Sequence, residues 1–160
     1  MNEDTLLMFY ESNLSLEKEC NFKEGEITFT SLYQYLMYHK AIVVGCPDLA
    51  KKLLSIKNVD EQKETSKLFP LEKEKLWRNV AKQATYKGCY LKITQNQDFQ
   101  SELCSTEDKY FVYTSPDDVL WGVGLAESDP KVHDKMCWEG LNWLGETLTV
   151  LRDDFTRGLK

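Results

Sequence analysis

The hydrophobic positions of this chain fall into short apolar runs separated by longer stretches with helical spacing. Leu6–Tyr10 is an apolar run that ends in polar residues, and Ile27–Thr30 alternates between apolar and polar positions. Tyr110–Thr114 is rich in β-branched and aromatic residues. These three segments predict short strands, because strands favour such residues or show a period of two.

The longer stretches predict helices. Thr30 or Ser31 is placed to cap a helix that covers Leu32 to about Val44, and Gly45 follows as a helix-ending residue. Four further helices are predicted. One begins at Asp48, one covers about Val59–Leu68, one carries Phe99 and Leu103, and the last carries the apolar stripe Leu144, Leu148, Leu151 and Phe155. The chain shows no internal repeat and no domain boundary, so we expect one domain over residues 1–160.

The longest predicted helix follows Pro70, a residue that suits a first helical turn. It runs from Leu71 to about Thr85 or beyond, with Leu76 and Trp77 at inward-facing positions,. Gly88 is expected to break it, because glycine is a poor helix former.

The segment after the third strand has the strongest functional pattern. Ser115–Asp118 is turn chemistry with two carboxylates, and Trp121 follows, flanked by Gly122 and Gly124,. Glycines let the backbone approach another group closely, so a flat ring beside acids suits a ribose or an aromatic base. The alternative is a strand, a turn and a buried core tryptophan.

Lys40 is unusual because its predicted helix is nearly free of charge. Between Ile27 and Cys46 only His39 and Lys40 can be charged near neutrality. Desolvation favours the neutral, nucleophilic amine of a lysine unless an acid pairs with it. The alternative is that the amine extends to water along its aliphatic stem. We interpret His39 as a hydrogen-bonded structural side chain.

The composition is that of a globular protein in a reducing compartment. The chain has 160 residues and 42% hydrophobic residues, enough for one core,. Its five cysteines form no CxxC pair and are odd in number, which argues against a disulfide framework,. It lacks a basic amino-terminal start and an uninterrupted apolar stretch of spanning length,. We therefore expect a soluble, cytoplasmic protein with no membrane partner.

The charge is negative overall but uneven. A net charge of −6 argues against general nucleic-acid binding,. Residues 73–92 nevertheless carry six basic side chains and one acid, whereas 13 acids and 6 bases follow from Asp98 onward. The basic segment is either a solvated helix face or a positive patch beside an acidic pocket, able to hold a pyrophosphate or a phosphodiester.

The common catalytic motifs are missing from the sequence. There is no Gly-rich phosphate loop, no Gly-x-Ser-x-Gly, no His-Glu-x-x-His and no paired-cysteine zinc pattern,. His133 and Cys137 have a spacing that a metal can use, but two ligands are too few. We expect no metal and no cofactor. Catalysis then depends on Lys, Asp, Tyr and Asn, which points to glycosidic or imine chemistry.

Three segments resemble, in order and spacing, the NADAR domain family of YbiA-like N-glycosidases. They are Phe29–Ala41, Ser115–Leu125, and Trp138–Gly145 before a helix that carries Arg152. The resemblance covers nearly the whole chain. It implies a compact, mainly helical α+β fold with a small sheet. It also implies hydrolysis of an N-ribosyl bond, in ADP-ribose attached to guanine of nucleic acid or in a phosphorylated riboflavin precursor.

The resemblance also implies roles for individual residues. Lys40 would attack the anomeric carbon and form an imine, and Asp118 would relay a proton or hold ribose hydroxyls. Trp121 would stack on the ligand, and Asn142 would bind polar groups of the sugar or phosphate. The full set of implied ligand-binding residues is Ser12, Asn13, Tyr33, Trp77, Lys92, Tyr113, Trp121, Gly122, Asn142 and Gly145.

The chain departs from the family at two acidic positions. Tyr33 and Tyr113 stand where the family usually has glutamate, and Thr65–Lys67 replaces a Gly-Arg step. Two phenols keep hydrogen bonding and stacking but lose acid chemistry. The alternative function is therefore a protein that binds or sequesters an ADP-ribose-like or cyclic nucleotide without hydrolysing it. A purely structural interaction protein is a third reading.

Overall fold

The computed structural model describes residues 5–158, which form six α-helices and four short strands. The strands are β1 (Leu6–Phe9), β2 (Phe22–Glu24), β3 (Ile27–Phe29) and β4 (Tyr110–Tyr113). The helices are α1 (Leu32–Val43), α2 (Pro47–Ser55), α3 (Val59–Ser66), α4 (Glu74–Thr94), α5 (Gln97–Cys104) and α6 (Trp143–Thr156). The predicted mainly helical α+β class is confirmed.

The chain divides into two compact units. The first, which we call the sheet unit, consists of Met1–Ser15 and Gln97–Lys160. The second, the helical unit, consists of Leu16–Asn96.

In the helical unit, α1 begins at a side-chain cap. The Ser31 hydroxyl accepts a hydrogen bond from the Gln34 amide at 3.0 Å, which satisfies a backbone donor of the first turn and confirms one predicted cap,. Gln34 is itself buried, and its side-chain amide donates to the carbonyls of Leu53 and Ile56. These bonds tie α1 to the end of α2.

The β2–β3 hairpin was only half predicted. Phe22 pairs with Phe29 in an antiparallel register, and the turn between the strands contains Gly25 at φ 60°. The rings of Phe22 and Phe29 lie 5.6 Å apart, and both contact Tyr35 of α1. The sequence predicts β3 but not β2, because the three residues of β2 are too few to show a period,.

The predicted helix break at Gly88 is wrong. Helix α4 continues through it to Thr94. A Cβ at position 88 would lie 2.7 Å from side-chain atoms of Leu32 and Tyr35, so glycine allows α1 and α4 to pack closely,. The expected inward position of Leu76 is also wrong, since its side chain is exposed, whereas Trp77 is buried.

In the sheet unit, β1 and β4 form a parallel pair in which Phe9 lies opposite Tyr113. Helix α6 packs on β4. Its Arg152 is buried, donates to the Lys109 carbonyl and pairs with Asp153 at 3.1 Å. The buried guanidinium is thus satisfied where the chain enters β4.

Glu24, at the end of β2, is the centre of a polar cluster in the helical unit. Its carboxylate accepts a hydrogen bond from the Tyr35 hydroxyl at 2.9 Å and lies 2.8 Å from His39 Nε2 and 3.2 Å from Lys87 Nζ. The structural role predicted for His39 is confirmed. Partial burial alone would raise the pKa of Glu24, but the bonds from Tyr35, Lys87 and His39 outweigh it and lower that pKa,.

We predict that Glu24→Gln destabilises the protein in a pH-dependent way. Because the folded-state pKa of Glu24 is lowered, its stabilisation is complete above the pKa of the unfolded carboxyl, about 4.3. It is lost as the pH falls through the lower folded value. At pH 7 the variant should lose about 1 kcal/mol of unfolding free energy. Denaturant titrations across pH measure the difference, which should shrink as the pH falls below the pKa of the unfolded carboxyl.

Glu26→Gln is the matched control on the same hairpin. Glu26 is exposed, so its replacement should change stability by less than about 0.5 kcal/mol. A Glu24→Gln effect that stays constant between pH 7 and pH 3 would show that the carboxylate charge is not what stabilises the cluster.

Candidate functional site

Lys40 lies in the last turn of α1, held between a carboxylate and an aromatic ring. Its Nζ atom is 2.7 Å from Oε2 of Glu74 and 4.8 Å from the centre of the Phe69 ring. The Lys40 side chain is only 14% exposed, whereas that of Glu74 is 39% exposed. The sequence predicted a desolvated amine unless an acid pairs with it, and Glu74 is that acid.

Sequence reasoning missed Glu74. Its one signal is that it is the only acid among the six basic side chains of residues 73–92. It is the first residue of α4, 34 positions after Lys40 in the chain, so no local pattern connects the two.

Tyr33 occupies one of the two positions where the resemblance implied an acid. It lies on α1, is buried, and its hydroxyl is 3.1 Å from the Ser66 hydroxyl at the end of α3. The phenol is therefore anchored within the helical unit by a neutral hydrogen bond.

Two further predicted residues, Trp77 and Lys92, are buried on α4, each 1% exposed. Among residues 5–158, Trp77 Nε1 has no hydrogen-bond acceptor. A buried N–H without a partner costs about 1–3 kcal/mol, so it is a group that a bound acceptor would satisfy. Lys92 lies near buried thiols. Burial raises the pKa of Cys89 to about 12, and the charge of Lys92 acts in the opposite direction.

In the sheet unit, Asp118 shapes the turn that carries Trp121. Its Oδ1 atom accepts hydrogen bonds from the amides of Leu120 at 2.9 Å and Trp121 at 2.8 Å. Within residues 5–158, both hydrogen bonds of the Asp118 side chain go to this oxygen. The second carboxylate oxygen is left for another partner, and the indole of Trp121 is buried at 7% exposure.

The Trp121 segment is joined to the segment that precedes α6 by backbone hydrogen bonds. Six consecutive amides, from Glu139 to Leu144, donate to carbonyls of residues 119–123 at 2.9–3.1 Å. The two motifs of the sequence therefore form one structural element, which we call the double loop (residues 119–123 and 139–144).

Glycines make this contact sterically feasible. A Cβ on Gly122 would lie 2.9 Å from the Asp118 carbonyl oxygen, and one on Gly140 would lie 2.8 Å from the Cα of Val119. Both distances are too short for a side chain. Gly122 thus has a packing role in this structure, and its predicted contact with a ligand stays a prediction.

Asn142 fastens the double loop to β4. It has a left-handed backbone (φ 54°), a conformation that asparagine tolerates,. Its buried amide accepts from the Tyr113 N–H and donates to the Phe111 carbonyl, both at 2.9 Å. These bonds give Asn142 a structural function that sequence reasoning missed. Its predicted role toward a ligand stays a prediction.

Tyr113, the second substituted position, is buried in an aromatic stack. Its ring lies 5.0 Å from that of Phe9 and 6.1 Å from that of Tyr10. Two residues after Tyr10, the Ser12 hydroxyl accepts a hydrogen bond from the Leu14 amide at 3.0 Å. The Asn13 side chain makes no hydrogen bond to any of the residues that the structure describes.

A cleft of about 490 Å³ runs along β1 in the sheet unit, and Tyr10 and Ser12 are on its wall. Three glutamates line it as well, Glu11, Glu102 and Glu127. None of its described lining residues is basic. Phosphate binding requires cationic or N–H donors, so this acidic cleft does not suit the phosphates of a nucleotide.

None of the helices within residues 5–158 combines the length and apolarity needed to cross a membrane. In the same part of the chain, no three His, Cys, Asp or Glu side chains are grouped so as to hold a metal ion.

Comparisons with known proteins place this chain in a family. The NADAR domain model matches residues 2–156. Protein irg-1 of Caenorhabditis elegans is 36% identical over 154 residues, which are 91% of this chain and 73% of that protein. N-glycosidase R617 of Acanthamoeba polyphaga mimivirus is 30% identical over 139 residues, 84% of this chain and 82% of that protein. The chain belongs to the NADAR domain family, and the resemblance seen in the sequence is confirmed.

The fold is also that of a solved structure. The NMR structure of the Escherichia coli protein YbiA matches with a TM-score of 0.76 at 20% identity, covering 99% of this chain and 88% of that one. The predicted YbiA-like fold is confirmed.

We predict that Gly145→Ala destabilises the protein strongly. A Cβ at this position of α6 would lie 2.5 Å from the Asn142 amide and closer still to the Phe111 carbonyl oxygen. Overpacking of this kind costs about 1–3 kcal/mol, and the displaced Asn142 amide adds to that loss. Chemical denaturation should show a decrease of about 3 kcal/mol.

Gly158→Ala is the control. No atom lies within 4 Å of a Cβ at Gly158, so only the cost of its left-handed backbone applies, about 1 kcal/mol,. Equal losses in the two variants would contradict the close packing of α6 against β4.

Proposed function

We propose that this protein is an N-glycosidase-like hydrolase acting on the N-ribosyl bond of a phosphorylated nucleoside derivative. The observation that carries the proposal is the Lys40 amine, largely buried and held at 2.7 Å by Glu74, in a chain of the NADAR family with an N-glycosidase among its relatives. ADP-ribose on guanine and a ribosylamine phosphate of riboflavin synthesis are the two substrate classes.

In the proposed reaction, the Lys40 amine bonds to the anomeric carbon as the bond to the leaving nitrogen breaks. The Asp118 carboxylate oxygen that accepts no hydrogen bond from the turn contacts the ribose hydroxyls or carries a proton. Trp121 stacks on the ligand and Gly122 lets the ligand approach the backbone. Each of these assignments follows from the family resemblance.

The remaining predicted residues have supporting roles in this proposal. The unsatisfied indole N–H of Trp77 supports a ligand contact. The bonds of Asn142 and the close packing of Gly145 support an indirect role, which is to fix the double loop. For Lys92, Ser12 and Asn13 we retain a ligand contact as part of the proposal.

The basic side chains of α4 support a phosphorylated substrate. Lys75 and Arg78 are exposed on this helix. Its one acid, Glu74, is paired with Lys40, and its Lys87 is paired with Glu24. An exposed cationic helix attracts phosphates. The acidic cleft along β1 does not.

The alternative function is binding without hydrolysis, and the two tyrosines favour it. The phenol of Tyr33 is fixed on Ser66 and that of Tyr113 lies in an aromatic stack, so neither position supplies a carboxylate. In this reading the protein holds an ADP-ribose-like or cyclic nucleotide as a reader or a sequestering protein.

We predict that Lys40→Met abolishes release of ribose product from an oligonucleotide bearing ADP-ribosylated guanine or from a ribosylamine phosphate. The rate should fall about 10³-fold or more, because loss of a nucleophile leaves only binding and electrostatic contributions. Chromatography of the released product gives the rate. Lys67→Met is the control, since Lys67 forms an exposed 2.7 Å pair with Glu64 in the same unit.

Each outcome separates the two functions. If Lys40→Met releases ribose product at the wild-type rate, Lys40 is not the nucleophile. Binding by calorimetry with the ligand recovered intact would establish the alternative, and a protein that neither binds nor cleaves these ligands would refute both.

A further inference from the structure

We propose that Glu74 is the proton acceptor and donor for Lys40, and that it performs the acid chemistry given up at Tyr33 and Tyr113. The inference rests on the proposed function of Lys40. It assigns to α4 a catalytic carboxylate that the family pattern of this sequence does not indicate.

The geometry restricts what the amine can exchange a proton with. Within the described chain, Glu74 is the one charged partner of Lys40, and its Oε2 atom lies at hydrogen-bond distance. The Phe69 ring is close to the same amine and has no proton to exchange. A lysine that attacks carbon must first lose a proton, and Glu74 is in position to take it.

The pair differs from a surface ion pair. The Lys67–Glu64 pair has the same 2.7 Å distance, but it joins neighbouring turns of one helix and its side chains are 69% and 72% exposed. Lys40 and Glu74 come from separate helices, and Lys40 is largely buried. Exposed pairs contribute little to stability, and Glu74 is partly exposed, so its replacement should leave the fold intact.

The proposed steps balance in protons and charge. Glu74 takes one proton from the Lys40 ammonium, and the free lone pair bonds to the anomeric carbon. The bond from that carbon to the leaving nitrogen breaks, its electron pair stays with the nitrogen, and the Glu74 carboxylic acid protonates it.

The attached amine then passes a proton to the ring oxygen as the ring opens, which leaves a protonated imine. Addition of one water releases the ribose aldehyde and restores the Lys40 ammonium.

The test compares Glu74→Gln, Glu74→Asp and Glu74→Ala on an oligonucleotide carrying ADP-ribosylated guanine. Glu74→Gln should lower kcat by about 10²–10⁴-fold, the usual contribution of one acid–base group, with KM changed less than about threefold. Glu74→Asp should recover part of the loss, and added formate should partly restore Glu74→Ala. Glu72→Gln, an exposed acid two residues earlier, should behave as wild type. Thermal melts confirm that all variants are folded.

Reductive trapping separates this inference from the proposed function. Wild type and variants are treated with free ADP-ribose and cyanoborohydride, and adducts on Lys40 are mapped by mass spectrometry. An adduct in wild type, together with an unchanged kcat in Glu74→Gln or a Glu74→Ala variant that formate does not restore, would overturn the role of Glu74 alone. Absence of both adduct and release in wild type would overturn the function of Lys40 and the role of Glu74 with it.

Discussion

The contact on which the sheet unit depends is one between two loops, made through main-chain atoms. In the double loop, six successive amides bond to carbonyls of the Trp121 segment. A Cβ at Gly122 or Gly140 would force the two loop segments apart. Since buried backbone groups must be paired, this contact replaces a sheet, and Asn142 then fixes it to β4 through two side-chain bonds. The position of Asp118 and Trp121 follows from it.

A second glycine contact organises the helical unit. Gly88 allows α4 to lie against Leu32 and Tyr35 of α1. The end of α1 and the start of α4 belong to the same packed pair of helices, and there Lys40 pairs with Glu74. The chemistry that we assign to this protein therefore depends on a residue that has no chemistry of its own.

The sequence predicts the features whose determinants are local. The Ser31 cap, the strand at Tyr110 and the family all follow from neighbouring residues or from short motifs in order. Sequence reasoning fails where a residue acts on a distant one. Gly88 resembles a helix breaker until its neighbours on α1 are known, and no residue near Asn142 in the chain indicates its two bonds to β4. The pairing of Glu74 with Lys40 could not be predicted either, because no residue near Glu74 in the chain indicates it.

The proposal that the Lys40 amine bonds covalently to ribose is tested most directly by a crystal structure of the protein after reduction in the presence of ADP-ribose. We predict continuous electron density from Lys40 Nζ to the anomeric carbon, with the Glu74 carboxylate still beside the same nitrogen. A bound nucleotide whose anomeric carbon lies away from Lys40 would contradict the account.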